Sequence, residues 1–209
     1  MILVGAGGHA KVVLDAALLA GIGPEALLDD NPTTSRLWDV PVIRRTGEWA
    51  AMVAGKEFLV AIGDDHTRAR LFEEIVKAGG RPVNVVHPRA WLSPRALCGS
   101  GIFVAASAVV NPGAVIGDNC ILNTSCSVDH DCVLGDHVHV CPGVRLAGQV
   151  KVGALTMVGT GASVLPGVRI GEDCRIGAGA AVIHDVADHS VVVGVPARGI
   201  PAAGSGTSV

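Results

Sequence analysis

The chain of 209 residues is 49% apolar but has only three Phe, three Trp and no Tyr, so any core must be filled by Val, Ile, Leu and Ala. Its 28 glycines follow no three-residue period and aliphatic residues recur throughout, which excludes collagen and low-complexity disorder. A formal net charge of −3 without a long run of one sign argues against a nucleic-acid surface or a basic membrane face.

Met1 leads straight into Ile2-Leu3-Val4-Gly5, with no basic lead and no apolar stretch long enough to span a bilayer. Neither a signal peptide nor membrane insertion is expected. The expected location is the cytoplasm, where the six cysteines are reduced thiols.

Residues 1–5 form an aliphatic run closed by glycine, the pattern of a buried parallel strand. Residues 9–20 carry apolar side chains at helical spacing and stop at Gly21. Ala26-Leu27-Leu28 is a second strand ending in Asp29-Asp30, and residues 58–62 are a third ending at Gly63. Residues 65–78 form a second helix closed by Gly79-Gly80, and Val83–Val86 a fourth strand. This alternation predicts a Rossmann-like α/β domain over residues 1–85, with a parallel sheet of three or four strands.

The loop Gly5-Ala6-Gly7-Gly8-His9-Ala10 lies between the first strand and helix and matches G-x-G-x-x-A, with Asp29-Asp30 downstream. Three readings stay open. It is a dinucleotide fingerprint, as in a nicotinamide enzyme, although the unit is short for that fold. It holds the diphosphate of a nucleotide-sugar at the helix start, with Asp29 or Asp30 facing ribose or base. Or it is a tight glycine turn with no ligand.

From Val104 the chain divides into 14 hexads without a gap, each opening with Val, Ile or Leu and each with Ala, Cys, Val or Thr in fifth place. Period six is the signature of a hexapeptide parallel β-helix, and the edge of a β-sandwich gives no reason for it. The opening side chain points inward and stacks on its counterpart one coil away. The fifth also points inward, near a corner that admits only small or β-branched residues. Third and fourth positions turn the corner, so Pro112-Gly113, Pro142-Gly143 and Pro166-Gly167 gather there. A lead-in coil extends the β-helix domain over residues 86–200, and residues 201–209 form a flexible tail. Cys120, Cys126, Cys132 and Cys174 take fifth positions, so their spacing is the packing period and not a metal pattern.

Function is sought where polar residues depart from the repeat. Asn123-Thr124, Asp129-His130-Asp131, His137 and His139 do so. His130 takes the third, corner position and His139 the sixth, which puts both outside the core. An aspartate accepting the imidazole N–H fixes its tautomer and raises its basicity, as a general base requires. With the cysteines inward and no nucleophile elbow, the simplest chemistry is direct attack of an acceptor on a thioester. The base removes the proton and a backbone N–H stabilises the oxyanion.

The segments VGAGGHAKVV, LLDD, VAIGDD, NTSCSVDHDCVLG and VVGVPAR together resemble the NeuD/PglD-type sugar O- and N-acetyltransferases, over about residues 2–200. The resemblance implies an α/β domain followed by a left-handed parallel β-helix. It implies His130 as general base and Asp131, where some members carry Glu, as the carboxylate behind it. Acetyl-CoA would lie between neighbouring subunits at His139, Gly148, Thr160 and Ala178. The nucleotide-sugar would meet Gly7, Gly8, His9, Asp29, Asp30 and Gly63, and Asn123 is a further expected substrate contact.

Homotrimers with active sites between subunits are implied, and no metal. The implied activity is acetyl-CoA-dependent N-acetylation of a nucleotide-linked amino sugar of the 4-amino-4,6-dideoxy class. O-acetylation of a sialic acid-type hydroxyl uses the same base and is the alternative, although amine attack is chemically easier. A non-catalytic nucleotide-sugar-binding scaffold is the alternative of another class, and the histidine cluster argues against it.

Overall fold

A computed structural model describes residues 1–47 and 49–200, so the expected tail lies outside the described residues. The N-terminal unit runs β1 (Ile2–Val4), α1 (Gly8–Leu19), β2 (Ala26–Asp29), β3 (Arg36–Leu37), β4 (Val40–Arg44), α2 (Trp49–Val53), β5 (Glu57–Val60), α3 (Asp65–Lys77) and β6 (Arg81–Pro82). These strands form one six-stranded sheet in the order β3-β4-β2-β1-β5-β6, parallel except for the β3–β4 pair. The sheet is therefore larger than the three or four strands expected. Pro41 and the exposed Ile43 and Arg44 conceal the alternation of β4 in the sequence.

β1 sits near the centre because all three of its residues are apolar, so both of its faces can be covered. Leu3 packs with Val13, Leu14 and Ala17 of α1, while Ile2 and Val4 pack with Leu71, Phe72 and Ile75 of α3 on the opposite face. The Asp64 carboxylate caps α3 by accepting from the Thr67 N–H at 2.8 Å.

The expected fourth strand divides differently. β6 closes the sheet, and Val85–Val86 instead opens the β-helix by pairing with Phe103–Val104. From there two-residue strands recur on three faces, and each from Phe103–Val104 to Ala181–Val182 pairs in parallel with the strand 18 residues before it, as in Ile121↔His139 and Leu122↔Val140. Every hexad-opening residue from Val104 to Val182 is buried in one continuous core. Cys120, Cys126, Cys132 and Cys174 fill that core as expected. Thr156 is its polar member, and its hydroxyl donates to the Gly171 carbonyl at 2.8 Å.

The N-terminal unit lies on the first face, where the outward Val85, Phe103 and Ile121 join the core beneath α1. This corrects the expectation for His139. It does lie outside the coil, but the unit above leaves it only 8% exposed.

Candidate active site

His130 occupies the corner between the second and third faces, in the turn after Ser127–Val128. Its ring is exposed, and Nδ1 lies 2.9 Å from Oδ2 of Asp131. A carboxylate can only accept, so Nδ1 carries the proton and the neutral imidazole leaves Nε2 bare. The backbone of Asp131 has φ +59°, and this left-handed turn brings its short side chain back to the ring. Asp129 accepts from the His130 backbone N–H at 2.7 Å and from Asn111 Nδ2 at 2.9 Å. The hydrogen bond to Asp131, with the charges of Asp129 and Asp131, raises His130 above the ordinary imidazole value of 6.5.

Two glycines flank this pair. Gly113, one coil earlier, has φ +76°, and a Cβ there would overlap the Asp131 carboxylate. Gly148 lies one coil later against the ring, and the following N–H, from Gln149, donates to the His130 carbonyl at 2.9 Å.

A second constellation lies at the carboxyl ends of β1, β2 and β5, where the strand order reverses and ligands of such sheets bind. Gly5 turns the chain with φ +106°. The Asp29 carboxylate accepts from the N–H groups of Ala6 and Asn31, both at 2.8 Å, and so holds the glycine loop to β2. Gly7 and Gly8 are exposed, and no side chain caps the start of α1, which leaves its N–H groups open to an anion. Asp30 is held by Arg45 at 2.5 and 3.0 Å. The same guanidinium bonds Glu74 and lies 4.9 Å over the Trp49 ring. No sequence signal marks Arg45, because it follows β4, whose alternation Pro41, Ile43 and Arg44 conceal. Val4, Gly5, Leu28, Asp29, Asp30, Ile62 and Thr67 line the small cavity here.

Four predicted residues meet where the two units touch. His139 Nδ1 lies 3.1 Å from the Gly63 carbonyl, and Nε2 lies 3.2 Å from Asn123 Nδ2. The His9 ring stands 6.2 Å from that of His139 and edge-on to Phe103, with a buried Nε2 that has no partner among the described residues. Burial, with the charge of Arg68, pushes His139 down to about 3 and His9 to about 4, so both are neutral at pH 7.

Thr160 and Ala178 are exposed on the corner between the first and second faces. There they continue a column with Thr124 and Pro142 through successive backbone hydrogen bonds. Gly148 is on the His130 corner instead. One chain thus spreads the predicted coenzyme contacts over two corners and the domain joint. His137 is half-buried against Phe72 at that joint.

Among the described residues, no group of His, Cys, Asp and Glu could hold a metal, and no helix is long and apolar enough to cross a membrane.

Residues 1–75 match the PglD N-terminal domain, and residues 113–148 and 149–184 match the bacterial transferase hexapeptide repeats. GDP-perosamine N-acetyltransferase of Escherichia coli O157:H7 is 33% identical over 107 residues, 51% of this chain and about half (48%) of that protein. A mutant of perosamine N-acetyltransferase from Caulobacter crescentus, solved with CoA and GDP-perosamine, superposes with a TM-score of 0.93 at 37% identity, covering 96% of each chain. The acetyltransferase domain of PglB from Neisseria gonorrhoeae, solved with acetyl coenzyme A, gives 0.89 at 34% identity over 95% of this chain and 98% of that one. With both units matched, and nearly the full length shared at this identity, the chain belongs to the PglD-type family of hexapeptide-repeat sugar acetyltransferases.

Proposed function

We propose that this chain transfers the acetyl group of acetyl-CoA to the amino group of a nucleotide-linked sugar of the 4-amino-4,6-dideoxy class. The observation that carries the reading is the exposed Nε2 of His130, backed at Nδ1 by Asp131 and left uncovered by Gly148. GDP-perosamine, bound by the Caulobacter crescentus relative, is the first candidate acceptor.

In the proposed reaction His130 Nε2 takes a proton from the amine as its nitrogen forms a bond to the thioester carbonyl carbon. Asp131 stabilises the imidazolium. Backbone N–H groups hold the oxyanion. As the C–S bond breaks, the proton passes from His130 to the CoA sulfur. Cys120 and Cys126 do not compete as nucleophiles: burial pushes both up to about 12 and keeps them as thiols, whereas Cys98, against the expectation of inward cysteines, is exposed on the third face.

Residues 1–85 would bind the nucleotide, through the α1 start, Gly7, Gly8, His9, Asp29, Asp30 and Gly63. Residues 86–200 would carry catalysis, with acetyl-CoA at His139, Gly148, Thr160 and Ala178. The working unit would be a homotrimer in the cytoplasm. Two features support that assembly. The third face exposes a column of Leu97, Val115 and Val133, which a neighbouring copy would cover. And one chain holds His130 at the corner between the second and third faces, while His9 and His139 lie at the first face, which suits a site completed by a neighbouring copy.

The test is acetyl-CoA consumption with GDP-, UDP- and dTDP-linked amino sugars and with sialic acid, using the intact chain and H130A. An N-acetylated product lost in H130A supports the reading. Turnover with sialic acid alone transfers it to O-acetylation. Binding of a nucleotide-sugar without turnover makes the chain a scaffold.

A further inference from the structure

Arg68 is fully buried, at 1% exposure, and among the described residues no carboxylate bonds its guanidinium. Backbone carbonyls satisfy it instead. Nε donates to Asn119 at 3.0 Å, Nη1 to Ile62 at 3.3 Å and Gly63 at 3.0 Å, and Nη2 to His137 at 2.5 Å. Two of these carbonyls belong to the β5–α3 turn, and two to the corner between the third and first faces of the β-helix. Asn119 Nδ2 returns a bond to the Arg68 carbonyl at 3.2 Å. Burying a cation among dipoles alone is costly, and a bulky apolar side chain would fill the same space. What the guanidinium adds is direction, because its planar fork can hold several carbonyls in fixed positions at once.

The Gly63 carbonyl receives two donors, Arg68 Nη1 and His139 Nδ1. It cannot donate, so the neutral His139 carries its proton on Nδ1 and presents a bare Nε2. That nitrogen accepts from Asn123 Nδ2, while Asn123 Oδ1 accepts from the Thr124 N–H at 2.8 Å. Each link selects the orientation of the next. The series ends on the second Nδ2 hydrogen of Asn123, which has no partner among the described residues.

We propose that Arg68 is a positioning residue: by pinning the Gly63 carbonyl it sets the tautomer of His139, and through it the amide of Asn123, whose free N–H is offered to an oxygen of the bound sugar. This rests on the reading of Gly63, His9 and Asn123 as nucleotide-sugar contacts.

The experiment uses full-length R68M and R68K, with H139Q to assign the spectrum. Imidazole 15N NMR of the ligand-free protein reads the His139 tautomer, and steady-state kinetics read KM for each substrate. The intact chain shows the Nδ1–H form. Both Arg68 variants mix the two tautomers and raise KM for the nucleotide-sugar about 10- to 100-fold. R68K retains the buried cation and serves if R68M does not fold. A folded variant that keeps the Nδ1–H form, or keeps its KM, overturns the proposal. Silence of the intact chain toward every nucleotide-sugar counts instead against the reading of the site, and the ligand-free spectrum then still decides the link from Arg68 to His139.

Discussion

Gly148 lies directly against His130: a Cβ built on the glycine would come within 2.5 Å of Nε2 and 2.6 Å of Cε1. The missing side chain one coil away is what leaves the imidazole edge uncovered.

G148A should therefore behave as an active-site lesion and not as a folding defect. Gly148 does not adopt the left-handed conformation, so alanine suits its backbone. The added methyl must displace the ring or cover Nε2. The expected result is a loss of about 10²-fold or more in kcat/KM, approaching the 10²–10⁴-fold loss expected of H130A. Circular dichroism and thermal melting should match the intact chain.

D131N tests the origin of His130 basicity. The hydrogen bond and charge of Asp131 raise the imidazole above 6.5, and the base works only when unprotonated. The rate should therefore rise with pH through a midpoint above 6.5. Removing the carboxylate moves that midpoint to lower pH and lowers the plateau about 10- to 100-fold, because the base is weaker and its tautomer is no longer held. The pH dependence of kcat/KM measures both effects. An unmoved midpoint would show that Asp131 is not the partner in solution.

D29N probes the glycine loop. Each Asp29 oxygen accepts a backbone N–H, and the amide nitrogen of asparagine would set donor against donor at one of them. A weakening of nucleotide-sugar binding by about 10-fold is expected, with a stability cost of about 1–3 kcal/mol. Calorimetric titration with the nucleoside diphosphate and thermal denaturation read the two effects. The KM for acetyl-CoA should not change.

Acid should destabilise the joint between the two units. His9 and His139 are held neutral in the folded chain, with values lowered from 6.5 to about 4 and about 3. Below pH 6.5 the unfolded chain gains protons that the folded chain does not, so stability is present at neutral pH and falls as the solution is acidified toward those values. The melting temperature should decline between pH 7 and pH 4, and H139Q should flatten the decline. A parallel decline in both proteins would place the acid sensitivity elsewhere.

The β-helix and its His130–Asp131 corner were legible because their information is local. A hexad repeats its own orientation, so position alone assigns Val104, Ile116 or Leu134 to the interior and His130 to the outside. Asp131 was legible as its partner because the two are adjacent on one turn. Lys151 and His139 both hold sixth places in their hexads, yet the first is exposed and the second buried. Nothing in the period distinguishes them. The difference is which face lies under the N-terminal unit.

By itself, then, the sequence determined the repeat, the inward aliphatic core, the exposed His130 and the glycine loop at the start of α1. Only the tertiary structure decided that His139 is buried and tautomer-locked, that Arg45 holds Asp30, and that Arg68 binds the two units through carbonyls. Those outcomes depend on contacts between residues up to 76 positions apart, as between His139 and Gly63. A periodic pattern states which way each side chain points, but not what meets it there.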